Sequence, residues 1–116
     1  MQAGFGWSGG YDLVALYATG FRAGVRLFVG CSPSACPDRY AYASAIGNVS
    51  EQTPPMRLVN STSEIMPAAQ LRALDAALDD AEVYDETRLL RGSGHATQYA
   101  RAEWPSTWEF LRAQLG

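Results

Sequence analysis

The sequence lacks the features that would assign it to a nucleic-acid-binding or membrane protein. It has no cluster of basic residues, and its nine Lys and Arg residues are outnumbered by twelve Asp and Glu, for a net charge of −3. Nucleic acid and anionic membranes are therefore not expected as partners. No apolar run is long enough to span a bilayer, and the amino terminus lacks a signal-peptide pattern. We expect a globular cytoplasmic protein with one domain in its 116 residues.

Cysteine is also scarce, with only Cys31 and Cys36 in the stretch CSPSAC. Their spacing is compatible with a small disulfide-closed loop and with two half-buried thiols, and the sequence leaves this choice open. Together with His95, the only histidine, the pair offers at most three metal ligands and no C-x-x-C motif. A metal or redox site is therefore the weakest hypothesis, and we expect neither a metal nor a cofactor.

Short apolar runs alternate with amphipathic stretches along the chain. The apolar runs predict three strands: VRLFVG (25–30), MRLVN (56–60) and the weaker ETRLLRG (86–92). Apolar residues at helical spacing, bounded by Gly or Pro, predict helices over 10–19, 67–81 and 105–115. The least regular part, 31–53, is expected to form a loop with one helix near 40–46.

Strands and helices that alternate in this way predict a parallel sheet joined by right-handed crossovers, and hence an α/β fold. Ligand sites in such sheets lie in the loops that follow the carboxyl ends of the strands. Four loops are predicted to meet at this edge, namely GWSGG, CSPSA, NSTSE and GSGHA. The candidate functional residues are therefore sought in these loops.

Ser8 lies between glycines in FGWSGGYDL, within the pattern G-x-S-x-G. This pattern is typical of a reactive serine on a tight strand-to-helix turn, but in a glycine-rich chain it also arises by chance, with a probability of about one in ten. A serine hydroxyl is a poor nucleophile unless a neighbouring base accepts its proton. If Ser8 is catalytic, the base is His95, because the chain has no other imidazole. The alternative is an ordinary surface or core histidine.

The stretches GWSGGYDLVALYATG, PPMRLVNSTSEIMPAAQLRALDAAL, RGSGHATQY and WPSTWEFLRAQL, in this order, resemble the carboxyl-terminal half of an α/β-hydrolase of the esterase/lipase type. The resemblance implies a three-layer parallel sheet with flanking helices, as a single partial domain over 1–116. It also implies hydrolysis of carboxylic esters through an acyl-enzyme, with Ser8 as the nucleophile and His95 as the base. The family's strands that precede the serine turn have no counterpart in this chain.

The catalytic acid departs from the family pattern. In relatives it stands four residues before the proline of the EIMP-like segment, and Ser63 occupies this position here. Because a serine cannot take this role, the neighbouring Glu64 is the first candidate and Asp38, after VRLFVG, is the second. Glu64 is equally compatible with a solvated residue in the first turn of a helix, where the dipole favours it. Asp38 is compatible with a loop or capping residue.

The charge that develops on the substrate oxygen requires two hydrogen-bond donors. The backbone N–H of Gly9 is predicted to be one, and the second belongs to a part of the family's fold without a counterpart here. The expected partners are a small-molecule ester and either a missing amino-terminal half or a second copy of the chain. The alternative function is a non-catalytic or truncated fragment that acts only within a longer chain or complex. Tyr99 is expected either to cover the site or simply to pack.

Overall fold

The computed structural model describes residues 2–116, which form three strands and five α-helices. The strands are β1 (Gly4–Trp7), β2 (Met56–Ser61) and β3 (Asp85–Leu90). The helices are α1 (Leu13–Tyr17), α2 (Arg22–Val29), α3 (Pro37–Ala43), α4 (Ala68–Asp80) and α5 (Ala100–Leu115), with short 3₁₀ turns at Ala45–Asn48 and Ala96–Gln98. None of the helices in the described part of the chain is long and apolar enough to cross a membrane.

The sheet has the order β1-β2-β3, and its neighbouring strands are parallel. Gly6 of β1 is paired with Leu58 of β2, which in turn is paired with Thr87 of β3. The carboxyl ends of the strands therefore lie at one edge. The α/β class with a parallel sheet and flanking helices is confirmed, and so are the strands predicted at 56–60 and 86–92.

Helices cover both faces of the sheet. Successive side chains of β2 point to opposite faces, so neighbouring residues contact different helices. Leu58 is fully buried in a core cluster with apolar residues of α4, whereas the neighbouring Arg57 forms an ion pair with Glu103 of α5. The indole N–H of Trp7 also donates to Thr107 of α5, at 3.2 Å. The three layers are thus α4, the sheet and α5. A second cluster, around Tyr40, joins α1, α2 and α3.

The prediction of a strand over VRLFVG is wrong, because this run lies in α2. Only Val25 of the helix is buried, while Leu27 and Phe28 are 86% and 75% exposed, so the run does not pack inside a sheet. Gly30 ends this helix rather than a strand, and has φ +98°. Glycine adopts this left-handed conformation readily and commonly ends helices in this way.

The last helix begins five residues earlier than predicted, at Ala100 rather than Pro105. Proline has no N–H to donate to the carbonyl four residues earlier, so a helix that contains it depends on contacts made by the neighbouring residues. Here Glu103 anchors the first turns through its ion pairs with the sheet, and Pro105 lies on the exposed side. In the stretch 31–53, the expected single helix is α3 followed by a 3₁₀ turn.

Cys31 and Cys36 are joined by a disulfide, which decides between the two alternatives left open by the sequence. The bond closes the loop between α2 and α3. With both sulfurs bonded to each other, neither cysteine offers a thiolate to a metal ion in this structure. Among residues 2–116, no group of potential metal ligands includes either cysteine or the histidine.

Three carboxylates meet where α4 packs against the start of β3. Oxygen atoms of Asp75, Asp79 and Asp85 all lie within 4.8 Å of one another, and Asp85 Oδ2 is buried without a hydrogen-bond partner among the described residues. Burial first, and then the neighbouring Asp75 and Asp79, raise the pKa of Asp85 to about 7. The folded protein therefore holds a proton on Asp85 that the unfolded chain would release at about pH 4.

We expect Asp85→Asn to raise the melting temperature by several degrees at about pH 8, and by much less at about pH 4. Because folding raises the pKa, the stabilising contribution of protonated Asp85 is lost as the pH rises through about 7. Asparagine has no proton to lose. Thermal melts of both proteins across this pH range test the expectation, with Asp80→Asn, exposed on the same helix, as the control. A gain that does not depend on pH would contradict it.

Candidate active site

Ser8 occupies a strained turn between β1 and α1. Its backbone has φ +53°, in the left-handed region that residues other than glycine rarely adopt. Its N–H donates to the Val59 carbonyl at 2.8 Å, which extends the pairing of β1 with β2. Asp12 then caps α1 by accepting from the N–H of Ala15. These contacts hold the buried Ser8 side chain at the carboxyl edge of the sheet.

The glycines around Ser8 make room for the ring of Tyr11. A Cβ atom on Gly6 or on Gly9 would overlap this ring, so neither position accepts a larger residue without rearrangement. The Tyr11 hydroxyl is buried, and burial raises its pKa to about 12. Tyr11 is therefore a neutral phenol over the range of ordinary assays. The role of the Gly9 N–H toward a substrate oxygen stays a prediction.

Glu64 follows β2 in the second loop of this edge, and its side chain is fully buried. Its Oε2 accepts the N–H of Ser61 at 2.6 Å and the hydroxyl of Ser8 at 2.8 Å. The hydrogen bond from the Ser61 N–H, three residues earlier, fixes the carboxylate beneath the loop. The interpretation of Glu64 as a solvated first-turn residue is therefore wrong, since α4 begins only at Ala68.

His95 follows β3 in the third loop. Its Nδ1 lies 2.6 Å from Glu64 Oε1, and its side chain is 41% exposed. Two contacts shape the loop: the Ser61 hydroxyl donates to the Gly94 carbonyl, and the His95 N–H donates to the side chain of Gln98 at 2.7 Å. The only imidazole of the chain and the Ser8 hydroxyl thus contact the same carboxylate.

The order of contacts differs from the expected one. A serine–histidine–acid relay places the imidazole between the other two groups, whereas here Glu64 lies between Ser8 and His95. No hydrogen bond joins Ser8 to the imidazole among residues 2–116. The physical reason is the position and length of the acid. Ser63 occupies the expected position, and Glu64 stands one residue later. The glutamate side chain, longer than that of an aspartate, reaches the Ser8 hydroxyl directly.

Tyr99, for which the sequence leaves open whether it covers the site or simply packs, contacts the candidate nucleophile. Its hydroxyl lies 2.6 Å from Ser8 Oγ and 3.1 Å from the Val59 carbonyl oxygen, and burial raises its pKa. The N–H of Ala96 also donates to Ser8 Oγ, at 3.1 Å. The only signal available beforehand was the position of Tyr99, four residues after His95 and so within reach of the same loop.

The remaining candidates lie elsewhere. Asp38 is exposed in the first turn of α3, and neither it nor the CSPSA loop hydrogen-bonds to Ser8, Glu64 or His95 among the described residues. That loop follows a helix rather than a strand, which explains why it does not reach the edge of the sheet. Three of the four predicted loops therefore form the candidate site.

Comparisons with known proteins find two solved structures that share the fold. No family model matches the sequence, and no curated protein does. A truncated form of a carbohydrate esterase from gut microbiota superposes with a TM-score of 0.80 at 20% identity, over 97% of this chain and 42% of that chain. A proposed carboxylesterase from Lactobacillus plantarum WCFS1 superposes with a TM-score of 0.54 at 18% identity, over 96% of this chain and 57% of the other.

These identities show a shared fold. The chain spans about two fifths of the first structure and somewhat more than half of the second. The sheet and helices described above therefore correspond to one part of each of these two larger structures.

Proposed function

We propose that this chain carries the reactive serine of an α/β-hydrolase that hydrolyses carboxylic esters. The observation that carries the proposal is the bridge formed by the buried Glu64 carboxylate, whose two oxygens contact the Ser8 hydroxyl and His95 Nδ1. A hydroxyl, a carboxylate and an imidazole are the groups that nucleophilic acyl transfer requires. The strained backbone of Ser8 and the shared esterase fold support the same assignment.

In the proposed reaction, Ser8 Oγ attacks the ester carbonyl carbon and its proton passes to His95. The proton reaches Nε2, which has no hydrogen-bond partner among the described residues, after the half-exposed ring turns toward Ser8. Glu64 then stabilises the imidazolium through Nδ1. The N–H of Gly9 holds the developing oxyanion. The His95 imidazolium gives its proton to the leaving-group oxygen as the ester C–O bond breaks, and the neutral alcohol departs. The regenerated imidazole then takes a proton from water, which attacks the acyl-enzyme and releases the carboxylic acid and Ser8.

The substrate class follows from the site and the fold together. In residues 2–116 no arginine forms a hydrogen bond or ion pair with Ser8, Glu64 or His95, so neutral esters suit the site better than anionic ones. The structure with a TM-score of 0.80 is named as a carbohydrate esterase, which makes acylated sugars the first natural class to assay. Acylated sugars and aryl acetates of similar size should be compared directly.

The alternative proposal is a non-catalytic part of a larger chain or complex. It is favoured by the share of the neighbours' length that this chain spans, 42% and 57%. The free edge of β1, where Phe5 is 41% exposed, supports it as well. A missing amino-terminal half or a second copy of the chain would then supply the second oxyanion donor.

Labelling by a fluorophosphonate distinguishes the two proposals. An activated serine is expected to form one covalent adduct per chain, which intact-mass spectrometry detects, and Ser8→Ala is expected to abolish it. Ser63→Ala is the matched control, because Ser63 is exposed in the adjacent loop and lies at the position of the family's acid. A folded wild-type chain that stays unlabelled after prolonged reaction would contradict the esterase proposal and favour the alternative.

A further inference from the structure

The hydrogen-bonding capacity of Ser8 Oγ is fully used in this structure. A serine hydroxyl has one proton to donate and two lone pairs that accept. The proton points to Glu64 Oε2 at 2.8 Å, and the Ala96 N–H donates to the oxygen at 3.1 Å. The Tyr99 hydroxyl, at 2.6 Å, is the third partner. No lone pair is left for attack on a substrate carbon.

The direction of the Tyr99 bond follows from counting protons. Ser8 and Tyr99 have two hydroxyl protons for three contacts, and the Val59 carbonyl can only accept. Since the Ser8 proton is directed at Glu64, the Tyr99 proton is shared between Ser8 Oγ at 2.6 Å and the Val59 oxygen at 3.1 Å, and the shorter contact favours Ser8. Burial raises the pKa of Tyr99, which keeps this phenol protonated and therefore a donor. The Tyr99 hydroxyl consequently occupies a lone pair of the nucleophile.

Tyr99 has a second acceptor within reach. The Val59 carbonyl oxygen lies 3.1 Å from the same hydroxyl, so rotation of the O–H bond transfers the hydrogen bond from Ser8 to Val59 without leaving a buried proton unpaired. The Ala96 N–H has no such freedom, because a backbone amide does not rotate. Of the two donors to Ser8, Tyr99 is thus the one that can release it.

We propose that Tyr99 is a reversible cap on the nucleophile, whose hydroxyl binds Ser8 Oγ at rest and turns to the Val59 carbonyl when Ser8 attacks. This inference rests on the proposed function. During the attack, the bond from Ser8 Oγ to the substrate carbon forms and the Ser8 O–H bond breaks, its proton passing to His95. The O–H bond of Tyr99 stays intact throughout, and only its acceptor changes.

Tyr99→Phe tests the cap. Because the variant removes the hydrogen bond that must be released before attack, the rate constant for fluorophosphonate labelling of Ser8 is expected to rise about threefold to tenfold. Tyr40→Phe is the matched control: Tyr40 is fully buried and its hydroxyl donates to the Cys31 carbonyl at 2.7 Å, away from Ser8. It is expected to lose similar stability without a change in labelling rate.

If Tyr99 has only a structural role, the Tyr99→Phe variant is labelled at the wild-type rate or more slowly. Labelled wild-type protein together with an unchanged or slower Tyr99→Phe variant would overturn the cap and leave the esterase proposal standing. A folded wild-type protein that is not labelled would overturn the esterase proposal and the cap with it. If Tyr99→Phe does not fold, Tyr99→Leu, which fills the space beside Trp7 without a hydroxyl, is expected to show the same acceleration.

Discussion

Replacing His95 by alanine is expected to slow fluorophosphonate labelling of Ser8 by about 10²- to 10⁴-fold, the contribution typical of a positioned general base. The chain has no other imidazole to take its place. The Glu64 carboxylate would remain beside Ser8, but a carboxylate is a weaker base than an imidazole and holds the transferred proton less well. Stopped-flow or gel-based labelling at several probe concentrations gives the second-order rate constants to compare.

The control for this loop is Thr97→Ala, because Thr97 is exposed two residues after His95. It is expected to be labelled at the wild-type rate. A folded His95→Ala protein labelled within about twofold of the wild-type rate would mean that Glu64 accepts the Ser8 proton directly, and the role of His95 as the base would be lost.

The same measurement separates the two candidate acids. Glu64→Gln keeps the size of the side chain but removes the charge that stabilises the imidazolium, so labelling is expected to slow by about 10²-fold or more. Asp38→Asn is expected to have no effect, because Asp38 is exposed on α3. The reverse pattern would assign the acid to Asp38.

Removing the Glu103 carboxylate is expected to destabilise the protein by about 3 to 5 kcal/mol, as for other buried ion pairs that lose one partner. Glu103 joins α5 to the sheet through Arg57 at 3.4 Å and Arg88 at 3.0 Å, and its side chain is 5% exposed. In Glu103→Ala, the buried Arg57 guanidinium would keep only the half-exposed Glu86, while its Nε already lacks an acceptor.

Urea unfolding of Glu103→Ala and Glu109→Ala measures this difference. Glu109 is exposed on the same helix and makes no ion pair among the described residues, so its replacement is expected to cost less than about 0.5 kcal/mol. Equal stability of the two variants would show that the buried ion pairs do not attach α5 to the sheet.

The sequence predicted the parts of the fold in which local pattern and packing agree. MRLVN forms the central strand, and residues at helical spacing in 67–81 form α4, because these residues are buried where the pattern implies. The strand predicted for VRLFVG is wrong because a short apolar run has no periodicity that distinguishes a buried strand from a helix. Two of its largest side chains, Leu27 and Phe28, are exposed, which no local rule anticipates.

The site could be predicted as a set of residues but not as a network. A glycine-flanked serine, a single histidine and an acid near the expected position were visible, and the parallel sheet explains why their loops meet. The order of contacts depends on the side-chain conformation of Glu64, which reaches past the histidine to Ser8. The contact of Tyr99 with Ser8 depends on how the first turn of α5 is set against β2, which only the folded chain determines.

The location of the phosphonyl group after reaction tests the central claim most directly. Trypsin separates residues 1–22, which contain Ser8, from residues 92–101, which contain Tyr99, and fragmentation assigns the modified side chain. We expect one adduct per wild-type chain, on Ser8. An adduct on a tyrosine such as Tyr99 or Tyr11, or a folded chain without any adduct, would contradict the assignment of Ser8 as the nucleophile.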